Sequence, residues 1–237
     1  MYWKRRQRRL KPENRIWELD AARGLCCLGM VAVHLLYDLT WLYPVLQLGA
    51  SPFFLFWKQW GGVLFFLISG ICATLGHRSA RRGAVVLCCA VLVSAVTALA
   101  GMPIRFGVLH CLGLCMLLWG CFRPLGSRAL CCFGVGFAAL GFAFGRIPVS
   151  APFLYPLGLT APGFSSADYF PVFPYLGFFL LGASLGKALY ADRRSLLPRL
   201  AGHPVSRFFC FFGRHSLSVY LIHQPVLLLG LNLGISE

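Results

Sequence analysis

Residues 21–43 read AARGLCCLGMVAVHLLYDLTWLY. The run is long enough to cross the ~30 Å hydrocarbon core of a bilayer, which takes about 20 mostly apolar residues as a helix. Its few polar residues are ordered. Arg23 and His34 are eleven steps apart, within about 20° of three full helical turns. Asp20 lies three residues before Arg23, and Asp38 four after His34. All four therefore project from one face, spread along ~27 Å of helix. Ionisable groups are expensive inside a membrane, so such a stripe should face the interior of a helix bundle.

Six further apolar runs follow, at about 52–75, 83–101, 106–122, 129–146, 172–190 and 208–234. The chain has 237 residues, 58% hydrophobic and 12% charged, against about 25% charged in a soluble domain. That much apolar surface needs lipid as its solvent. The fold expected is all-α, a polytopic integral membrane helix bundle of about seven transmembrane helices. In the last run Arg214 and His215 delay the apolar stretch to about Ser216.

The formal charge is +15, from 22 Lys and Arg against 7 Asp and Glu. The bases sit in short segments between the apolar runs, so they argue against nucleic acid as a partner and for membrane topology. Arg78, Arg81 and Arg82 follow the second run, and Arg123 and Arg128 the fourth. Lys187, Arg193, Arg194, Arg199 and Arg207 follow the sixth, whereas the alternate loops hold Arg105 and Arg146. The positive-inside rule then predicts a cytoplasmic amino terminus. It divides the chain into a basic cytoplasmic tail, 1–14, and a transmembrane domain, 15–234. The outer loop 147–171 is rich in Pro, Gly and Ser, and a loop of that length is usually functional or disordered.

Other polar residues fall within or beside the spans. His110 follows Arg105 in RFGVLHCLG, and His223 and Gln224 precede Pro225 in SLSVYLIHQP. Three intramembrane histidines suggest a shared polar cavity. Lys58 and Gln59 lie between Trp57 and Trp60 and read equally as interfacial anchors. The 11 cysteines lack the paired CxxC spacing of a zinc site and read as packing residues. No metal is expected: no HExxH-like spacing occurs. No glycine-rich phosphate loop or GxSxG elbow is present either. A neutral imidazole can serve as a general base, and Asp38 is placed to orient His34.

Five segments, in order, resemble one family. RIWELDAARGLCCLGMVAVHLLYDL at 15–39, FFLISGICATLG at 65–76, RFGVLHCLG at 105–113, DYFPVFPYLGFFLLGASLG at 168–186 and GRHSLSVYLIHQP at 213–225 look like the bacterial relatives of the heparan-alpha-glucosaminide N-acetyltransferase catalytic domain. The Arg23–His34 spacing also resembles the Arg-x10-His motif of the broad membrane acyltransferases that O-acetylate surface glycans. There the His is taken as catalytic and the Arg as essential near the coenzyme.

The resemblance implies a transmembrane acyltransferase that moves an acetyl group from cytoplasmic acetyl-CoA to a sugar amine or hydroxyl across the membrane. It implies His34, with Asp38, as catalytic, either as general base or as transient acyl carrier. Arg23, with Asp20, would serve the coenzyme. His110, His223, Gln224 and Arg105 would line the acceptor side. The expected partners are the lipid bilayer, acyl-CoA and a glycan or other small acceptor, with a homo-oligomer left open. The expected location is a bacterial plasma membrane. The alternatives are a small-molecule transporter, for which repeated halves with broken helices are the sign, and a non-catalytic membrane partner protein. No such repeat is visible in the sequence.

Overall fold

The computed structural model describes residues 16–45, 51–147 and 149–235, and every apolar run within them is helical. The basic tail 1–14 lies outside the described residues. Helix α1 is Trp17–Tyr37, prolonged by a π-turn at Asp38–Leu42. It is followed by α2 (Pro52–Leu75), α3 (Ser79–Leu99), α4 (Val108–Phe122), α5 (Ser127–Phe144) and α6 (Val172–Leu189). The chain closes with α7 (Pro204–Arg214) and α8 (Ser216–Ile235). The starts follow local chemistry. Pro52 opens α2 where its missing N–H costs nothing, and the Ser51 hydroxyl accepts from the Phe54 N–H at 3.3 Å.

Among the described residues, six helices are long and apolar enough to cross a membrane: α1 with its π-turn, α2, α3, α5, α6 and α8. The chain is a multi-pass membrane protein. The remaining apolar run forms α4, whose 15 residues span only ~22 Å. It packs inside the bundle, with Cys111 and Cys115 fully buried. In the final run the apolar stretch begins at Ser216, the point to which Arg214 and His215 are expected to delay it. The run breaks at His215, leaving α7 as a short amphipathic helix and α8 as the span. One end of the bundle carries the starts of α1, α3, α5 and α8 and the Arg-rich turns, and is called the basic end below.

Small residues decide how the helices meet. The most buried of the six long helices is α6, which packs against α2, α4 and α5. In α6, Gly182 and Gly186 form a small-xxx-small pair, the pattern that lets membrane helices touch backbone to backbone. A Cβ at Gly182 would overlap the Leu67 carbonyl of α2, and one at Gly70 of α2 would overlap the Phe179 carbonyl. On the other side, Gly177 meets Gly134 and Ala138 of α5. Ser127 and Ser184 exchange hydroxyl-to-carbonyl bonds at 3.0 and 2.8 Å between α5 and α6. A second seam joins α1 to α7, where Cβ atoms at Gly24 and Gly213 would run into the opposite backbone.

By contrast, α8 buries little of its apolar surface. Polar contacts add to the packing of Leu217, Tyr220 and Leu221 against the core. Gln224 reaches Asp38, the Tyr43 hydroxyl donates to Asn232 at 2.6 Å, and the Tyr220 hydroxyl donates to Asp168 at 3.3 Å.

Candidate functional site

The predicted polar face of α1 points into the bundle, and its members find partners on α2, α7 and α8. Away from the basic end, His34 meets His223 of α8 edge to face, with ring centroids 4.8 Å apart at 76°. Each Nδ1 lies against a backbone carbonyl: His34 against Met30 at 2.9 Å, His223 against Tyr220 at 2.7 Å. A carbonyl can only accept, so both Nδ1 atoms carry the proton and both Nε2 atoms carry the lone pair when the rings are neutral. The Met30 carbonyl, rather than Asp38, therefore fixes the tautomer of His34.

Asp38 has another partner. It is 2% exposed and accepts from Gln224 Nε2 at 3.2 and 3.0 Å. It opens the π-turn, in which the Tyr43 N–H donates to the Asp38 carbonyl at 2.8 Å. Single π-turns of this kind occur frequently at functional sites. Two acceptors beside it are buried without a hydrogen-bond partner among the described residues: His223 Nε2 and Gln224 Oε1. Orphaned buried acceptors are costly, and together they ask for a ligand or water that donates.

Asp168, to which the sequence reading gave no role, completes this side. It precedes α6, and its Oδ2 accepts from the Val108 N–H at 2.9 Å and from the Tyr220 hydroxyl at 3.3 Å. It thus caps the start of α4 from another part of the chain, where the helix dipole favours an anion. Gly107 makes room, since a Cβ there would strike the Asp168 carboxylate. Backbone pairing of Phe106 with the 169–170 segment holds the loop in register, with the Phe170 N–H on the Phe106 carbonyl at 2.9 Å. Burial pushes the Asp168 carboxyl above its usual range. The Val108 N–H, the positive form of His34 and the Tyr220 hydroxyl oppose that shift. In the same loop, burial pushes the Tyr169 phenol up to about 12.

The capping role has a measurable consequence. Asp168→Ala removes two hydrogen bonds and leaves the Val108 N–H unpaired, so thermal unfolding in detergent should report a loss of about 1–3 kcal/mol. Because the folded carboxyl titrates above its unfolded value, the folded state holds the proton longer. Burial of the charge, not the two hydrogen bonds, sets the sign: stability is highest at acid pH, where the carboxyl is neutral, and declines as pH rises through the folded value. Asp168→Asn should remove that decline.

The other predicted residues are placed differently. His110 turns to α3, where its Nε2 lies 3.5 Å from the Ser94 hydroxyl, and its ring packs on Phe106. The structure thus pairs two of the three histidines and sets the third against Ser94. Arg105 is exposed in the rim and lies 5.5 Å over the Phe164 ring. Lys58 and Gln59 are exposed, with the Lys58 ammonium 5.9 Å over Phe54. At the basic end, Asp20 lies between Arg23 at 3.9 Å and Arg214 of α7 at 3.4 Å. Arg23 also reaches the Cys72 thiol of α2. Among the described residues no group of three or more His, Cys, Asp or Glu side chains is placed to hold a metal ion.

Six of the described helices are long and apolar enough to cross a membrane, which makes this a multi-pass membrane protein. The family model of the heparan-alpha-glucosaminide N-acetyltransferase catalytic domain matches residues 15–225, and the chain belongs to that family. The resemblance read from the five segments is borne out. Membership places the chain among the transmembrane acetyltransferases, whose donor at family level is acetyl-CoA. Comparison with curated proteins finds no match, and neither does comparison with solved structures.

Proposed function

We propose that this chain transfers an acetyl group from acetyl-CoA, bound at the basic end, to a sugar amine or hydroxyl presented at the other end. The observation that carries the reading is the His34–His223 pair, with both Nδ1 protons tied to carbonyls and both Nε2 lone pairs left for chemistry. The orientation rests on the Arg-rich turns, which favour a cytoplasmic basic end and amino terminus. A bacterial plasma membrane suits such a topology.

The reaction needs a base for the acceptor proton or a nucleophile for the acyl group. As base, His34 Nε2 takes the proton from the acceptor N–H or O–H while that atom bonds to the acetyl carbon and the coenzyme's thiolate leaves. As carrier, Nε2 first forms the acetyl bond and releases the thiolate, and the acceptor then displaces the imidazole. In either case His223 Nε2 and Gln224 Oε1 accept from the incoming molecule. Asp38 holds Gln224, while Arg105 and His110 shape the outer rim. Arg23, steadied by Asp20, lies ~16 Å along α1 from His34 and pairs with the coenzyme's phosphates.

Binding of acetyl-CoA to the purified protein tests the donor side. Arg23→Ala should weaken it about tenfold or more, the value of one charge-assisted bond, with unfolding unchanged. Equal affinity in wild type and variant would remove Arg23 from the donor site. Acyl-CoA cleavage in step with acceptor acetylation would separate this reading from a transporter.

A further inference from the structure

A pocket of about 110 Å³ opens at the basic end, between the first turn of α3 and the last turn of α4. Acetyl transfer as described above makes no use of it. Ser79 and Ala80 of α3 form one wall, Trp119, Gly120 and Arg123 the other, and Gly76 and His77 the floor.

Several of its polar groups are donors. The start of α3 has no side-chain cap and no acidic residue in its first turn. Its leading N–H groups, at the positive end of the helix dipole, are therefore without an intrahelical partner. The second observation is independent. Trp119 is 2% exposed, and its indole N–H has no hydrogen-bond partner among the described residues. Trp119 lines the pocket, and a buried orphan donor calls for an acceptor. Arg193 contacts the Nε2 of His77 at 3.4 Å. The Arg can only donate, so the second ring nitrogen of a neutral His77 carries the proton and is a further donor. Arg123 brings a guanidinium, and Arg82 comes within 3.5 Å of where a Cβ on Gly76 would lie. Lys187 is already engaged. Its Nζ donates to the Arg123 and Leu125 carbonyls at 2.7 and 2.6 Å and so fixes the last turn of α4.

We propose that this pocket binds a phosphate group between the start of α3, the Trp119 indole and Arg123. Helix N–H groups with an arginine fork are the usual chemistry of phosphate recognition. The phosphate can come from a soluble phosphate ester or from the headgroup of an anionic lipid, since the pocket lies at the membrane end of two helices. The site does not rest on the chemistry of His34.

The test uses the full chain in neutral detergent. Thermal unfolding is followed while inorganic phosphate is titrated against chloride at constant ionic strength. Wild type should show a saturable rise, as should Arg146→Gln, whose charge lies at the opposite end. The half-saturating phosphate concentration should rise about tenfold or more in Arg123→Gln and several-fold in Trp119→Phe, the scale of a lost bond to a charged group. No saturable rise, or one equal in all four proteins, overturns the site. Repeating the titration in phosphatidylcholine nanodiscs with and without phosphatidic acid separates the sources. Loss of the response with phosphatidic acid identifies a headgroup, and its persistence identifies a soluble ester. His34→Ala should keep the phosphate response, so the two readings fail separately.

Discussion

His34→Ala should cut acetyl transfer by about 10²–10⁴-fold, the contribution of a positioned proton-transfer group, while leaving the protein folded. The imidazole is half-buried, and the hydrogen bond it loses is to a carbonyl of its own helix. That carbonyl keeps its place in the α1 ladder, so the thermal cost should be small. The measurement is the initial rate of acetyl-CoA consumption with acceptor present, read beside the unfolding midpoint. A wild-type rate in a well-folded variant would remove His34 from the chemistry. His223→Ala gives the contrast. If His223 Nε2 only accepts from the acceptor molecule, the loss should fall mainly on the acceptor's KM. If it also moves the proton, kcat should fall with it.

Gly182→Leu should strongly destabilise the bundle. The new Cβ would overlap the Leu67 carbonyl, which belongs to a helix and cannot swing aside as a side-chain tip can. Either α2 moves off α6 or the side chain is not accommodated. Overpacking typically costs 1–3 kcal/mol and occasionally more, and a backbone clash at the most buried seam belongs at the upper end. Yield of monodisperse protein on size exclusion, together with the unfolding midpoint, reads the effect. Gly136→Leu on α5 is the matched control: nothing lies within 4 Å of its Cβ position, and it should behave as wild type. Equal behaviour of the two leucine variants would overturn the view that glycine contacts set the α2–α6 spacing.

The parts of this architecture that depend on periodicity were readable from residue order. The alignment of Asp20, Arg23, His34 and Asp38 follows from 100° per residue, and the structure gives that face partners on its neighbours. The Arg-rich turns all fall at one end for the same reason: hydropathy sets where the chain reverses. The break at His215 was half legible, because Arg214 and His215 interrupt the apolar run. That residues 204–214 form a helix of their own depends on docking against α1 through Gly24 and Gly213, which no local pattern reveals.

Asp168 was harder to see. It lies in an irregular loop, and its partners Val108 and Tyr220 are far away in sequence. The usable signal was scarcity: it is one of 7 acids in the chain, beside aromatic residues at the mouth of a bundle. His110 shows the opposite difficulty. A histidine just inside a span reads as a cavity residue, but rotation about α4 turns it to Ser94. One-dimensional spacing does not determine which neighbour a short buried helix shows to each side.

The weak apolar burial of α8 has a consequence for how the protein ages in solution. Among its moorings are Gln224 on Asp38, Tyr220 on Asp168 and Tyr43 on Asn232, and the first two belong to the candidate site. Polar groups of the candidate site therefore double as the rivets of its own wall. A detergent that lets water compete for those few bonds will peel this helix away before it loosens the glycine seams. Inactivation then precedes unfolding, and a sample can look intact by size while its paired histidines have already parted.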